Sequence, residues 1–111
     1  MKLIRLLPYL YENEDYLAQL SEKISEDIII CGHTHIPYFR NINGEYFINA
    51  GSAGKPKHGD SRCTYVIVTI EKEAVSCSIE KVEYNINQMI KDIENNQMIS
   101  DGLVEMLRLG V

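Results

Sequence analysis

The run "DIIICG", Asp27 to Gly32, constrains the fold more than any other part of the chain. Ile28, Ile29, Ile30 and Cys31 lie between a charge and a glycine, with no polar residue among them. A strand covered on both faces reads this way, because neither side of its pleat meets water. Such a strand needs a layer above it and a layer below it, so the chain must build a layered α/β or α+β domain. The 111 residues allow at most one such domain, with a modest core.

The neighbouring segments supply the layers. From Asn13 the pattern is helical: Leu17, Leu20 and Ile24 share a face, and Glu14 and Asp15 favour the dipole of the first turn. In "YFRNINGEYFINAG", Asn43-Gly44 supplies two positive-φ residues, which predicts an antiparallel hairpin of Tyr38–Ile42 with Glu45–Asn49. "GSAGKPKHGDSR" is a loop by composition. "CTYVIVTIE" reads as a second strand buried on both faces, with a turn at Glu71–Glu73. "AVSCSIEKVEY" alternates through Val75, Cys77 and Ile79, then changes parity to Val82 and Tyr84, which predicts a bulge at Glu80-Lys81. Residues 86–96 form an amphipathic stripe of Ile86, Met89, Ile90 and Ile93. Ser100 or Asp101 could cap a last helix holding Leu103, Met106 and Leu107, ended by Gly110. Residues 1–11 are apolar without a period and contain Pro8, so they read as an arm or loop.

Charge and cysteine usage narrow the function classes. A net charge of -5 argues against general nucleic-acid binding, which needs a basic face to neutralise phosphates. The N-terminal apolar run is too short for a membrane span, and no signal peptide is visible. Cys31, Cys63 and Cys77 are odd in number and form no CxxC pair, which fits reduced thiols in the cytoplasm better than a disulfide framework or a zinc module.

The chemistry centres on "CGHTHIP". His33 and His35 follow the buried strand directly, at the carboxyl end where open α/β sheets place their ligands. Residues i and i+2 of a strand share a face, and imidazole is the commonest side-chain metal ligand. Spacing alone leaves two readings: a metal site, or two histidines hydrogen-bonded in a turn.

"CGHTHIP", followed after the hairpin by "NAGSAGKPKHGDSRCTYVIV", resembles the C-terminal part of the calcineurin-like metallophosphoesterases of the small bacterial and archaeal type. The tail "VEYNINQMIKDIE" resembles the segment and helix that close such chains. The resemblance implies part of a two-sheet sandwich flanked by helices, with residues 1–111 forming a single partial domain. It also implies a site for two divalent cations (manganese, iron, zinc, cobalt or nickel) that activate water against a phosphate ester. His33 would bind one metal and His35 the other. Asn49, Gly51, Ser52 and Lys55 would form a wall of the site, with Asn49 or Ser52 orienting the histidine loop. Lys55, Lys57, His58 and Arg62 form a basic cluster that could attract phosphate, although a solvated loop has the same composition.

The family's other motifs are absent from these residues: no Asp-x-His, no Gly-Asp-x-x-Asp and no Asn-His occurs. His58 is the only other histidine, and it follows the pair. The expectation is therefore a C-terminal portion of a phosphoesterase, inactive by itself. Its partner would be an N-terminal half carrying the remaining ligands, or a second copy held through exposed sheet. The alternative is a non-catalytic interaction or scaffold module of the same fold, since the family resemblance includes a fold that also serves as a protein-interaction subunit in retromer.

Overall fold

The computed structural model describes residues 2–10, 12–96, 98–99 and 102–111, with backbone only at 8 and 9. The strand required by "DIIICG" is β2, Ile28–Gly32, and it sits inside a four-stranded sheet. Its neighbours are β1, Ile4–Tyr9, and β4, Glu45–Asn49, both parallel to it. The outer strand β3, Tyr38–Ile42, pairs antiparallel with β4 through the Asn43-Gly44 turn, whose φ values are 54° and 86°. Both hairpin strands have the bounds that the sequence predicts, and they pair antiparallel as expected. The β1 strand corrects that expectation, since residues 4–9 are a strand and not an arm. Its irregular apolar pattern has a cause: the pairing with β2 shifts register between Leu6 and Tyr9, around Pro8. Proline has no N–H to give the ladder.

Helix α1, Glu14–Ser21, starts where Asn13 Oδ1 accepts from Tyr16 N, and it packs on one face of this sheet. Leu10, Leu17, Ile29, Cys31, Tyr38, Ile42 and Phe47 form that core, and Leu7, Ala18, Leu20 and Ile24 pack against it. By register the opposite face carries Ile4, Leu6, Ile28, Ile30 and Ile48. Ile28 and Ile48 are fully buried, whereas Leu6 on the outer strand is 75% exposed.

The second sheet has two strands, β5, Cys63–Glu71, and β6, Ala74–Val82. Its pairing runs unbroken from Cys63↔Val82 to Glu71↔Ala74, so the expected bulge is absent. The change of parity is instead a change of face. Val66, Val68, Ile70, Val75, Cys77 and Ile79 share one side of the ribbon, and Tyr65, Ile67 and Val82 share the other. The expectation that β5 is buried on both faces also fails, because Tyr65 and Ile67 are about half exposed at 48% and 49%. Val66, Val68, Val75 and Cys77 are half-buried. The ribbon is tied to both ends of the first sheet. Thr64 bonds to the segment leaving β4, and Glu73 at the tip pairs with Lys2 Nζ ahead of β1 at 3.3 Å. The architecture is a two-sheet α/β arrangement with helices, as the sequence predicts, but with unequal sheets.

Helices α2, Ile86–Glu94, capped by Asn85, and α3, Gly102–Leu109, enclose a small core of Ile90, Ile93, Val104 and Leu107. Met89 and Met106, expected on the inner stripes, are exposed, because each helix has only the other to pack against in that core. Gly110 ends α3 with a φ of 70°. The proposed caps Ser100 and Asp101 lie outside the described residues. The radius of gyration is 16.6 Å, against about 13 Å for a closed domain of this length. The accessible surface of 7264 Å² also exceeds the roughly 6,200 Å² expected for the mass. Both measures describe a fold that does not close on itself.

Candidate functional site

Strand order places the histidines. The chain leaves β2, passes the end of β4 to reach β3, and returns as β4 between them. The loop 33–37 therefore crosses the carboxyl ends of β2 and β4, where Cys31 is in register with Asn49. Open α/β sheets place their ligands at the carboxyl ends of their strands. The segment 50–57 leaves β4 at the same point, and Ala50 N donates to Cys31 O at 3.2 Å.

His33 and His35 both hold left-handed backbone, with φ of 69° and 64°. Non-glycine residues adopt this region seldom, and such conformations gather at functional sites. The pair is thus a bent loop beyond the strand, and the same-face rule for strand residues does not set its geometry. His33 is exposed and His35 half-buried. His35 Nδ1 lies 2.6 Å from the carbonyl oxygen of Lys55, and Lys57 N donates to His35 O at 3.3 Å. A carbonyl only accepts, so Nδ1 carries the proton, and in a neutral imidazole that leaves the lone pair on Nε2. Histidines that bind metal are held this way by their other nitrogen.

Asn49 is fully buried beneath the loop. Its Nδ2 donates to Gly32 O at 3.3 Å and to Thr34 Oγ1 at 2.8 Å, and its Oδ1 accepts from Gly51 N at 2.9 Å. One amide thus joins the histidine loop to the segment after β4. Ser52 Oγ accepts from Lys55 N at 2.7 Å and Gly54 N at 3.2 Å, folding a turn that brings the Lys55 carbonyl to His35. Gly51 has φ 75°, and a Cβ there would lie 1.9 Å from Thr64 Oγ1. No side chain fits that position. Of the four wall residues named from the sequence, Lys55 meets His35 through its backbone carbonyl, Ser52 folds the turn that carries Lys55, Asn49 bonds to Gly32 and Thr34 of the histidine loop, and Gly51 donates to Asn49.

Thr64 is the residue that sequence reasoning missed. It is 4% exposed at the root of β5. Its hydroxyl donates to Ala50 O and accepts from Ser52 N, both at 3.0 Å, and its amide donates to Ser52 O at 2.9 Å. A threonine in a β-branched run carries no distinguishing sign in the sequence.

The basic cluster disperses. Asp60 accepts from Arg62 Nη2 at 2.7 Å and Lys81 Nζ at 3.3 Å, so the Arg62 charge is matched. The hydrogen bonds from Arg62 hold the Asp60 carboxyl well below the usual carboxylate range. His58 Nε2 is buried with no hydrogen-bond partner among the described residues, and so is not offered to a ligand at the surface. Cys31 is buried and burial pushes its thiol pKa up, which suits packing and not nucleophilic attack. Burial also raises the Tyr38 phenol, which donates to Leu10 O at 3.0 Å.

His33 and His35 share this loop, and His35 is held at Nδ1 by the Lys55 carbonyl, as metal-binding histidines are. They do not suffice for a centre. Among the described residues, no three His, Cys, Asp or Glu side chains gather in a way that could hold a metal ion. Also among the described residues, no helix is long and apolar enough to cross a membrane.

Residues 8–73 match the family model for the calcineurin-like phosphoesterase superfamily domain. In sequence the chain is 30% identical over 99 residues to an uncharacterized protein of Methanocaldococcus jannaschii, covering 76% of this chain and 40% of that protein. In structure it is similar to a metallophosphoesterase from Sphaerobacter thermophilus, with a TM-score of 0.81 at 22% identity, covering all of this chain and 56% of that one. It is also similar to a hypothetical protein from Pyrococcus horikoshii, with a TM-score of 0.75 at 14% identity, covering 94% of this chain and 41% of that one. These two structures share the fold, and the chain spans about half their length or less.

Proposed function

The chain belongs to the calcineurin-like phosphoesterase superfamily, and on that premise we propose that it forms one wall of a binuclear metal site for phosphate-ester hydrolysis. The observation that carries this reading is the Lys55 carbonyl at 2.6 Å from His35 Nδ1, which leaves Nε2 as a metal-facing donor. In this reading His33 and His35 hold different metals, and Asn49 keeps their loop at the sheet end. When bound, two divalent cations (manganese, iron, zinc, cobalt or nickel) would supply Lewis acidity toward the phosphoryl oxygens. The substrate is a phosphomonoester or phosphodiester. The other ligands come from outside residues 1–111, in an N-terminal half carrying the family's carboxylates, so the chain alone is inactive. Three unpaired thiols support a cytoplasmic setting.

The test is to titrate the purified chain with manganese or cobalt and to assay it with p-nitrophenyl phosphate esters. The expected result is weak metal binding, lost in His35→Ala, with no turnover. Robust turnover abolished by His35→Ala would overturn the proposed incompleteness. Metal binding unchanged in both His33→Ala and His35→Ala would overturn the site.

The second reading, a non-catalytic interaction module, draws support from the apolar surface on the outer strand and the ribbon. Ile4, Leu6, Ile70 and Ile79 are all exposed there. Surface of this kind favours association, here with the missing half or with a second copy. Sedimentation at rising concentration should show dimers or larger species, and a clean monomer throughout would count against it.

A further inference from the structure

Thr64 lies on the ribbon, at some remove in sequence from the histidines, yet its hydrogen bonds lead to one of them. Its hydroxyl and amide hold Ala50 and Ser52. The Ser52 hydroxyl then holds the amides of Gly54 and Lys55. That turn ends with the Lys55 carbonyl on His35 Nδ1. Gly51 leaves the space that the threonine hydroxyl occupies, so the contact is built by both segments. We propose that Thr64 is a positioning residue that fixes the tautomer of His35, acting through Ser52 and the backbone of Lys55.

The physical basis is a relay of single hydrogen bonds within a loop that has no regular structure of its own. A neutral imidazole can carry its proton on either nitrogen, and the bond made by one nitrogen decides which. Removing the Thr64 hydroxyl leaves the half-buried Ala50 carbonyl and Ser52 amide without that partner, which favours a shift of the loop. A shift of about 1 Å at Lys55 stretches the 2.6 Å contact beyond useful hydrogen-bond length. His35 then loses the bond that holds its proton on Nδ1. The ribbon thereby becomes part of the histidine site through the loop that Thr64 holds.

This inference rests on the reading of His35 as a metal ligand, but its test uses no metal, so the two can fail separately. The measurement is long-range ¹⁵N–¹H correlation of the His35 ring in the full chain, in alkaline buffer where the imidazole is neutral. The wild type should show the Nδ1–H pattern. Thr64→Val should lose it and gain Nε2–H character, while Thr64→Ser, which keeps the hydroxyl, should restore it. A purely structural role for Thr64 would lower stability without changing the tautomer. If Thr64→Val does not fold, Ser52→Ala interrupts the next link and should show the same loss. A wild-type pattern retained in the folded variant that lacks either hydroxyl would overturn the proposal.

Discussion

The four-stranded sheet and the two-stranded ribbon use similar residues to opposite effect. In the first, β2 is flanked by strands on both sides, and its Ile28, Ile29 and Cys31 are buried on the two faces. In the second, an equally β-branched strand has one neighbour and one exposed face. Burial is therefore a property of position in the assembly and not of the apolar run itself. The ribbon is held chiefly at its ends, and one of those ends is the histidine site.

The largest expected effect separates the two sheets by stability. Phe47→Ala removes a fully buried ring from the first core and should cost about 3–5 kcal/mol in urea unfolding. Ile67→Ala on the ribbon's outer face should cost about 0.5 kcal/mol. Similar losses at both positions would break the contrast. At the joint between the sheets, Gly51→Ala combines a left-handed backbone with contact on Thr64, for about 3 kcal/mol in all. Hydrogen exchange should then quicken in β5 and β6 and stay slow in β2 and β4. Uniform quickening would mean that the two sheets open as one unit.

The smallest effect concerns acid. Asp60 links Arg62 at the ribbon's root to Lys81 on its second strand, at 2.7 and 3.3 Å. Its carboxyl is held below the ordinary range when folded, so the contribution is present above about pH 4 and fades as pH falls toward the depressed folded value. The carboxyl is still a quarter open to solvent, so screening keeps the contribution small. Wild-type stability should dip slightly more below pH 4 than that of Asp60→Asn, and equal acid profiles would remove Asp60 from the account.

What could be read from the sequence was what is decided locally. Asn43-Gly44 fixed its hairpin because the turn needs two positive φ values and nothing distant. Helix α1 began at Asn13 for the same kind of reason. By contrast, β1 is a strand only because β2 lies beside it, across a helix, and its own pattern is broken at Pro8. The histidine pair stood out by type and spacing, but the way it is held did not. The bond on His35 comes from a backbone carbonyl, which every residue carries, so nothing in the letter for Lys55 announces it. Thr64 was hidden because its partners, Ala50 and Ser52, are side-chain independent as well.

The break in β1 bears on how such molecules could stick together. A second strand adding to that outer edge would find regular pairing only from Ile4 to Leu6, before the register shifts around Pro8. Three residues are too few to template a growing cross-β ladder, and proline is a common guard on strand edges. Leu6 is 75% exposed, but the backbone beside it offers no long row of regularly spaced donors and acceptors. The irregularity that disguised β1 as an arm is also what keeps its edge from seeding polymerisation.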